Sequence, residues 1–306
     1  MKSLLAWNQT SEEFKAQIIG KLLGDGSLTQ QRDRKPRFQF THMAKDYEWS
    51  LFCYHKLRTH LQLNPPRFRK TWDSRLKKGY CTAYYTQSKT SDLATFLRNA
   101  WYPNGIKQVP FDLLKEHITT ETLAWWYMDD GHLKTMNGKI QKVILSTESY
   151  TQQENEMLIQ LLNQRFNLKF KTDKQNRLIL YEQYLIHYFH YLIEPYMHVC
   201  MHRKMINQFL LPNNVLSKRT TIYLPKCIQV IKPTEHINKA LNRLDELIAL
   251  YKSGDFYKVY GGKLRNPLEE THPYQIVVSS QNLRKLLFLK EATGLTMSEI
   301  TELVYK

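Results

Sequence analysis

The 306-residue chain is long enough for two domains, or for one large domain with an appendage. Its hydrophobic content of 42%, with 12% aromatic residues, supports a packed core and excludes wholesale disorder. Lys and Arg number 44 against 28 Asp and Glu, so the formal net charge is +16. A charge of this sign indicates a polyanionic partner: nucleic acid is the first hypothesis, and an anionic membrane surface is the alternative.

The cysteine pattern and the N-terminus bear on the cellular compartment. The four cysteines are scattered and form no paired motif, which is typical of a reducing compartment. The N-terminus lacks an apolar signal core, and no apolar run is long enough to span a bilayer. These features predict an intracellular protein without a membrane partner, in a bacterial or phage cytoplasm or an organelle matrix, and not a secreted one.

The first predicted helix ends in an acid between two glycines. Residues 18–26 read Ile-Ile-Gly-Lys-Leu-Leu-Gly-Asp-Gly, so an apolar run leads directly into Asp25. Gly20 and Gly24 are four residues apart and share one face of the helix. Because glycine costs roughly 1 kcal/mol in a helix relative to alanine, this pair predicts the close approach of another helix.

A strand with one polar face follows this helix. Residues 37–42 alternate strictly, with Phe38 and Phe40 on one side and Arg37, Gln39 and Thr41 on the other. Next come a helix over 46–61, a basic hairpin, a strand over 80–85 and a helix over 91–101. The basic residues around the hairpin include Arg67, Arg69, Lys70, Lys77 and Lys78.

From residue 119 the same order of elements recurs. Residues 123–131 read Leu-Ala-Trp-Trp-Tyr-Met-Asp-Asp-Gly, which places Asp130 105 positions after Asp25. A strand over 143–146, a helix over 151–166, two strands within 168–181 and a helix over 184–193 follow. The chain therefore predicts an α+β fold in which the plan αββαββα appears twice, in residues 10–110 and 119–212, with pseudo-two-fold symmetry.

The C-terminal third has a different character. Residues 213–273 are predicted to form a connector that contains one amphipathic helix over 235–251 and a loop over 253–273. Residues 274–306 predict a strand and two helices, and they resemble the ribbon-helix-helix DNA-binding modules, with Tyr274–Val278 as the ribbon. That resemblance implies added DNA contacts or the pairing of two chains. The alternative is a plain, mostly helical appendage.

Two acids from symmetry-related helix ends, on a basic chain, suggest metal-assisted phosphodiester hydrolysis. Hard cations such as Mg²⁺ prefer carboxylate oxygens, and a pair of such ions can activate the attacking water and stabilise the leaving oxygen. Two equivalent sites would serve the two strands of a duplex.

The two motifs and the duplicated plan, over residues 11–212, resemble the LAGLIDADG homing endonucleases in their single-chain, double-motif form. The similarity is closest to the omega-intron type, in which the second motif also ends Met-Asp-Asp-Gly. The resemblance implies two saddle-shaped antiparallel sheets along the DNA major groove, and two or three Mg²⁺ ions at the motif helix ends. It further implies a monomeric core that makes a double-strand break at a long recognition site. An RNA maturase that binds its own intron RNA, or a non-catalytic DNA-binding regulator, is the alternative.

The resemblance also implies a set of site residues. Asp25 and Asp130 would bind the metal ions, with the backbone carbonyls of Gly24 and Asp129 close by. The Asp129 side chain would be either a third ligand or a supporting group. Lys107 and Lys204 would stabilise charge beside each active site, or alternatively would contact a backbone phosphate. In the first repeat, the proposed base-reading residues are Arg37, Gln39 and Thr41. Further DNA contacts are predicted at the basic hairpin, from Arg67, Arg69, Lys70, Lys77 and Lys78. In the second, the proposed phosphate contacts are Lys169, Lys171, Lys174 and Arg177.

Overall fold

The first repeat begins after a short N-terminal helix and continues in the predicted order. The computed structural model describes residues 2–206, 210–213, 215–261 and 270–306. The elements of this part are α1 (Lys2–Asn8), α2 (Glu12–Leu23), β1 (Ser27–Thr29), β2 (Arg37–Met43), α3 (Tyr47–Leu57), β3 (Arg67–Trp72), β4 (Tyr80–Gln87) and α4 (Asp92–Trp101). The strands form an antiparallel sheet in the order β1-β2-β4-β3. Trp7 of α1 stacks on Phe96 of α4, with ring centroids 5.2 Å apart.

The second repeat has the same topology. Its elements are α5 (Phe111–His117), α6 (Thr120–Asp130), β5 (Gly131–Met136), β6 (Lys139–Leu145), α7 (Gln152–Phe166), β7 (Lys171–Thr172), β8 (Leu178–Leu180) and α8 (Gln183–Ile193). The strand order β5-β6-β8-β7 repeats that of the first sheet, and the pairing is again antiparallel. The predicted α+β class and the duplicated plan are therefore confirmed.

The two motif helices, α2 and α6, pack directly against each other. A Cβ atom on Gly20 would lie 2.6 Å from the Thr122 carbonyl oxygen and 2.7 Å from the Trp125 Cβ. A Cβ atom on Gly24 would lie 2.5 Å from the Asp129 Cβ. All three distances are shorter than any normal contact, so the predicted close approach at the two glycines is confirmed. One hydrophobic core continues across this contact and includes buried residues of both repeats.

The C-terminal third contains more secondary structure than predicted. Its elements are β9 (Lys218–Pro225), α9 (Pro233–Ala240), α10 (Leu244–Lys252), α11 (Phe256–Tyr260), β10 (Thr271–Val278), α12 (Ser280–Thr293) and α13 (Met297–Leu303). The prediction of one continuous helix over 235–251 was wrong, because a 3-10 turn at Leu241–Arg243 separates α9 from α10. The predicted loop over 253–273 was wrong where α11 and the start of β10 lie, and residues 262–269 fall outside the described ranges.

The predicted ribbon strand has its partner within the same chain. β10 pairs antiparallel with β9 along its full length, from Thr271 opposite Pro225 to Val278 opposite Lys218. Ribbon-helix-helix modules form this pairing between two subunits. The predicted pairing of two chains through the tail is therefore not supported, because β9 already occupies the partner position.

A second hydrophobic core joins the residues on both sides of position 273, from Ile222 to Val304. This body rests on α8. The ring centroids of Tyr184, Tyr188 and Tyr191 lie 5.7, 5.9 and 5.0 Å from that of Tyr257. Instead of a separate connector (213–273) and tail module (274–306), we propose one C-terminal unit packed against the second repeat. Across the described ranges, no helix combines the length and the apolar character needed to cross a membrane.

Candidate active site at the ends of the motif helices

The packing of α2 against α6 brings three carboxylates together where the helices end. α2 stops at Leu23, where the Gly24 N–H donates to the Gly20 carbonyl, so Asp25 follows directly. α6 stops at Asp130, where the Gly131 N–H donates to the Tyr127 carbonyl. Because the helices pack side by side to their ends, Asp25, Asp129 and Asp130 form one acidic cluster inside a basic chain.

Burial and mutual repulsion perturb the two motif acids, Asp25 and Asp130. Burial, with repulsion from Asp129, raises the pKa of Asp25 to about 6, although Lys21 opposes the shift. Burial, with repulsion from Asp25 and Asp129, raises the pKa of Asp130 to about 7. Within the described ranges no group donates a hydrogen bond to either carboxylate, and the Asp25 side chain is 37% exposed. Acids that repel each other and lack donors fit a hard divalent cation, which would relieve the repulsion.

The two predicted lysines lie at the same helix ends. The Lys107 Nζ donates to the Gly26 carbonyl at 3.1 Å. The Lys204 Nζ spans the last turn of α6, at 3.2, 2.8 and 3.1 Å from the carbonyl oxygens of Tyr127, Met128 and Asp129. Burial lowers the pKa of both lysines, whereas the neighbouring carboxylates oppose that shift. Each ammonium therefore adds positive charge next to a motif acid.

Asp129 is bound by protein groups on both of its oxygens. Its Oδ1 accepts from the Lys21 Nζ at 2.7 Å and from the Trp49 Nε1 at 2.8 Å, and its Oδ2 accepts from the Asp25 N–H at 3.1 Å. The side chain is fully buried. Burial would raise the pKa of Asp129, but the charge of the Lys21 ammonium outweighs it and holds the pKa below its ordinary value. The carboxylate is thus charged and enclosed, which fits the supporting role better than the role of a third metal ligand.

Lys21 and His42 were not singled out by the sequence analysis, although they lie at the centre of the site. The Lys21 Nζ is 2.5 Å from the His42 Nε2, and the His42 Nδ1 is 2.7 Å from the Ser50 Oγ. An ammonium only donates, so Nε2 must accept and Nδ1 carries the proton. Burial and Lys21 lower the pKa of His42 to about 4, which keeps the ring neutral. His42 was detectable, since it continues the buried alternation of the strand after Phe38 and Phe40.

His42 also belongs to a group with the spacing of a metal site. Ligand atoms of Asp25, His42 and Asp129 all lie within 4.8 Å of one another. The Lys21 ammonium contacts two of these three residues. The cation at this position is therefore supplied by the protein itself, and the open acids Asp25 and Asp130 are the better candidates for metal.

Comparison with known proteins identifies the family of the chain. The LAGLIDADG DNA endonuclease family matches residues 15–187, more than half of the chain. The chain belongs to this family. The uncharacterized protein MJ1098 of Methanocaldococcus jannaschii is 32% identical over 190 residues, covering 61% of this chain and 70% of that protein. The cytochrome b mRNA maturase bI2 of Debaryomyces hansenii is 28% identical over 180 residues, covering 57% of this chain and 65% of that protein. A solved structure of the homing endonuclease I-WcaI bound to its DNA recognition sequence has a TM-score of 0.56 and 25% identity, covering 65% of this chain and 88% of that one.

Within this LAGLIDADG fold, the first sheet has one polar face. Phe38 and Phe40 are buried, whereas Arg37 and Thr41 are exposed and Gln39 is half-buried. Paired residues of antiparallel strands share a face, so the register places Arg67 and Arg69 with them. The Gln39 Oε1 accepts from the Tyr85 hydroxyl at 2.9 Å and from the Gln87 amide at 3.2 Å. The predicted base readers thus lie together on one surface.

Lys70, another basic residue of the hairpin, does not share this face. Lys70 lies on the opposite side of β3, with its Nζ 4.6 Å from the Trp72 ring centroid and 3.9 Å from that of Tyr80. Lys77 and Lys78 are exposed in the turn between β3 and β4.

In the second repeat, the predicted phosphate contacts differ in their surroundings. Lys169, Lys171 and Lys174 are exposed, and Lys171 lies on β7. The Arg177 guanidinium instead pairs with Asp173 at 2.6 Å, so its charge is partly compensated in the free protein. His132 and Lys134 are also exposed, on β5, and the sequence analysis did not single them out. A strand that starts directly after a motif helix was the available signal.

Proposed function

We propose that this chain cuts both strands of a long DNA recognition site in a reaction that depends on a divalent cation such as Mg²⁺. Asp25 and Asp130 would be the metal-binding acids of the two half-sites. The observation that carries the proposal is this pair of carboxylates, which accept no hydrogen bond from any described residue and are brought together by the glycine contacts of α2 and α6. Such acids have no structural use as hydrogen-bond acceptors, and they repel one another until a cation is bound.

The donor set fits a hard cation. Asp25 and Asp130 would hold the ions, with the backbone carbonyls of Gly24 and Asp129 beside them. When bound, a divalent cation activates water and stabilises the leaving oxygen. The number of ions, two or three, is a prediction from the family resemblance.

The lysines of the site act through their charge. Lys107 is held on the Gly26 carbonyl and Lys204 on the last carbonyls of α6, so their ammonium groups are already oriented before a phosphate arrives. A preorganised cation in a largely buried site stabilises developing negative charge more strongly than one in water does. We propose that each lysine stabilises the scissile phosphate of one strand.

Double-stranded DNA is the proposed partner of the polar sheet face. The related I-WcaI structure contains its DNA recognition sequence, and this chain has a net charge of +16. Arg37, Gln39 and Thr41 present hydrogen-bonding groups at alternate positions of one strand, which suits the reading of base edges in a major groove. The exposed lysines of the second repeat would contact phosphates.

Cleavage of the intron-free form of the host locus tests this function. The purified full chain is incubated with that DNA in Mg²⁺, and separately with EDTA. We expect a double-strand break at one site in Mg²⁺ and no break in EDTA. A chain that binds this DNA tightly but leaves it intact in Mg²⁺ would be a DNA-binding regulator on the same scaffold.

An RNA maturase is the second candidate function, because the Debaryomyces hansenii relative is a cytochrome b mRNA maturase. The geometry favours the nuclease, since a protein that only binds RNA gains nothing from Asp25 and Asp130 facing a phosphate. Absence of cleavage, together with tight and specific binding of the chain's own intron RNA, would favour the maturase.

A further inference from the structure

An ion pair between Lys21 and Asp129 joins the two repeats beside the candidate active site. Lys21 belongs to α2 and Asp129 to α6, the two groups are 2.7 Å apart, and both side chains are fully buried. A buried ion pair adds little stability over an apolar pair of similar volume, because both charges lose their hydration. Its retention next to the motif acids therefore calls for a role in the site itself.

We propose that Asp129 is a positioning residue for Asp25, so that the half-site of the first repeat depends on a side chain from the second. This inference rests on the proposed nuclease function. The Asp129 Oδ2 accepts the backbone N–H of Asp25 at 3.1 Å. Lys21 and Trp49, both from the first repeat, hold the other oxygen at 2.7 and 2.8 Å.

The packing at Gly24 explains why the second repeat supports the first repeat and not the reverse. A Cβ atom on Gly24 would lie 2.5 Å from the Asp129 Cβ and 2.7 Å from its Oδ2. The Asp129 side chain therefore fills the space beside Gly24, and the first motif has no room for a side chain at this position. It contacts the chain at the point where α2 ends and Asp25 begins. The Lys21 ammonium is in turn fixed by the His42 ring, 2.5 Å away, which is anchored on Ser50.

The half-site of Asp130 is organised in a different way. The Asp130 carbonyl accepts from the Ser146 N–H at 3.1 Å, and Lys204 binds the last carbonyls of α6. Among the described residues, neither Lys21 nor the Asp129 carboxylate forms a hydrogen bond with Asp130. Loss of the Asp129 carboxylate should therefore misplace Asp25 first and leave Asp130 close to its position.

Amide hydrogen exchange of the metal-free protein tests the positioning directly. We expect Asp129→Ala to speed exchange at residues 24–26 by about tenfold or more, because the Asp25 N–H loses its acceptor, while the middle of α2 stays protected. The double variant Lys21→Met/Asp129→Asn removes both charges but keeps an acceptor at position 129. It should return the exchange to within about threefold of the wild-type rate. Unchanged exchange in Asp129→Ala, or a double variant no better than Asp129→Ala, would overturn the proposal.

Strand-resolved nicking provides the second readout, which a purely structural role would not bias. Asp25→Asn should slow cleavage of one DNA strand more than the other. Asp129→Ala should slow cleavage of that same strand, by about tenfold more than cleavage of the other strand. Equal loss on both strands, or a loss on the strand that Asp130→Asn affects, would contradict the proposal. Glu121→Ala is the matched control, because Glu121 also links α6 to α2, through the Gln17 amide at 2.8 Å, but far from Asp25. It should change neither local exchange nor strand balance. If the wild-type protein cuts no DNA, the proposed function fails, and the exchange experiment still decides the positioning role.

Discussion

Replacing Gly20 with alanine tests the helix contact on which the site is built. In an ordinary helix this change stabilises by roughly 1 kcal/mol, because alanine loses less backbone entropy than glycine. Here the new Cβ would lie 2.6 Å from the Thr122 carbonyl oxygen and 2.7 Å from the Trp125 Cβ. Neither atom is the end of a flexible side chain, so α2 and α6 must separate by roughly 1 Å to reach normal contact distances.

Because the two helices must separate, Gly20→Ala should destabilise the protein, whereas the same change in an ordinary helix stabilises it. Overpacking of this kind costs about 1 to 3 kcal/mol and at times more, and a rigid contact lies at the upper end. After the gain in helix propensity, we expect Gly20→Ala to lose about 2 kcal/mol, or roughly 4 to 8 °C in Tm. Urea and thermal unfolding measure both quantities. Asn163→Ala, on the exposed face of α7, is the control and should be neutral or stabilising. A Gly20→Ala variant as stable as the wild type would refute the close packing of the motif helices.

Further predictions concern pH, charge and DNA recognition. Because burial raises the pKa of Asp25 to about 6 and of Asp130 to about 7, protons should compete with the cation, and cleavage should fall as the pH drops below 7; a rate that stays flat down to pH 5 would contradict this. The same acids bind protons in the folded chain at a pH where they are ionised in the unfolded chain, so their own contribution to metal-free stability should rise as the pH falls from 7 towards 4; the excess Tm of Asp25→Asn/Asp130→Asn over the wild type should therefore shrink across this range, which thermal unfolding checks. Lys204→Met should lower the single-turnover rate by about 100-fold with little change in the Kd for DNA, whereas an equal loss of binding would show a phosphate contact instead. Arg37→Ala should cost about 1 to 3 kcal/mol of binding discrimination at one base pair of the site. Lys171→Ala should instead weaken binding of all DNA sequences, and in binding titrations the slope of log K against log salt should fall by about one.

The repeat architecture was predictable because its signals are local. One signal is the strict alternation of polar and apolar residues over 37–42. The other is the pair of apolar runs that end in Asp and Gly. Each depends only on a few residues that are neighbours in sequence. Their recurrence 105 residues later gives the duplication without any knowledge of distant contacts. The glycine pair also predicted a helix contact, since two costly residues on one face need a reason.

The network around Lys21 was not predictable from such local patterns. A lysine in an apolar helix is buried only if a partner neutralises it, and that partner, Asp129, lies 108 positions away in another repeat. The role of Asp129 stayed open for the same reason. Sequence spacing brings it next to Asp130, but only the packing of α6 on α2 turns its side chain towards Lys21 and the Asp25 N–H.

The C-terminal unit shows the same limit at the level of strands. Buried and exposed side chains alternate over residues 220–224 for only one or two periods, which is too short a pattern to indicate β9 by itself. The strand is stabilised by β10, about 50 positions later in the chain, and long-range pairing of this kind leaves little trace in the sequence. The 3-10 turn at Leu241–Arg243 keeps Ile237, Leu241 and Leu244 on one buried stripe, so periodicity could not distinguish one helix from two.

Cleavage by Asp25→Asn and Asp130→Asn, each compared with the wild type on the intron-free host locus in Mg²⁺, tests the central claim most directly. Asparagine keeps the size of the side chain and removes the charge that a divalent cation requires. We predict that either substitution abolishes the double-strand break while binding of the same DNA persists, since the sheet face is untouched. A double-strand break that continues at the wild-type rate in either variant would contradict the assignment of these two acids as the centre of the active site.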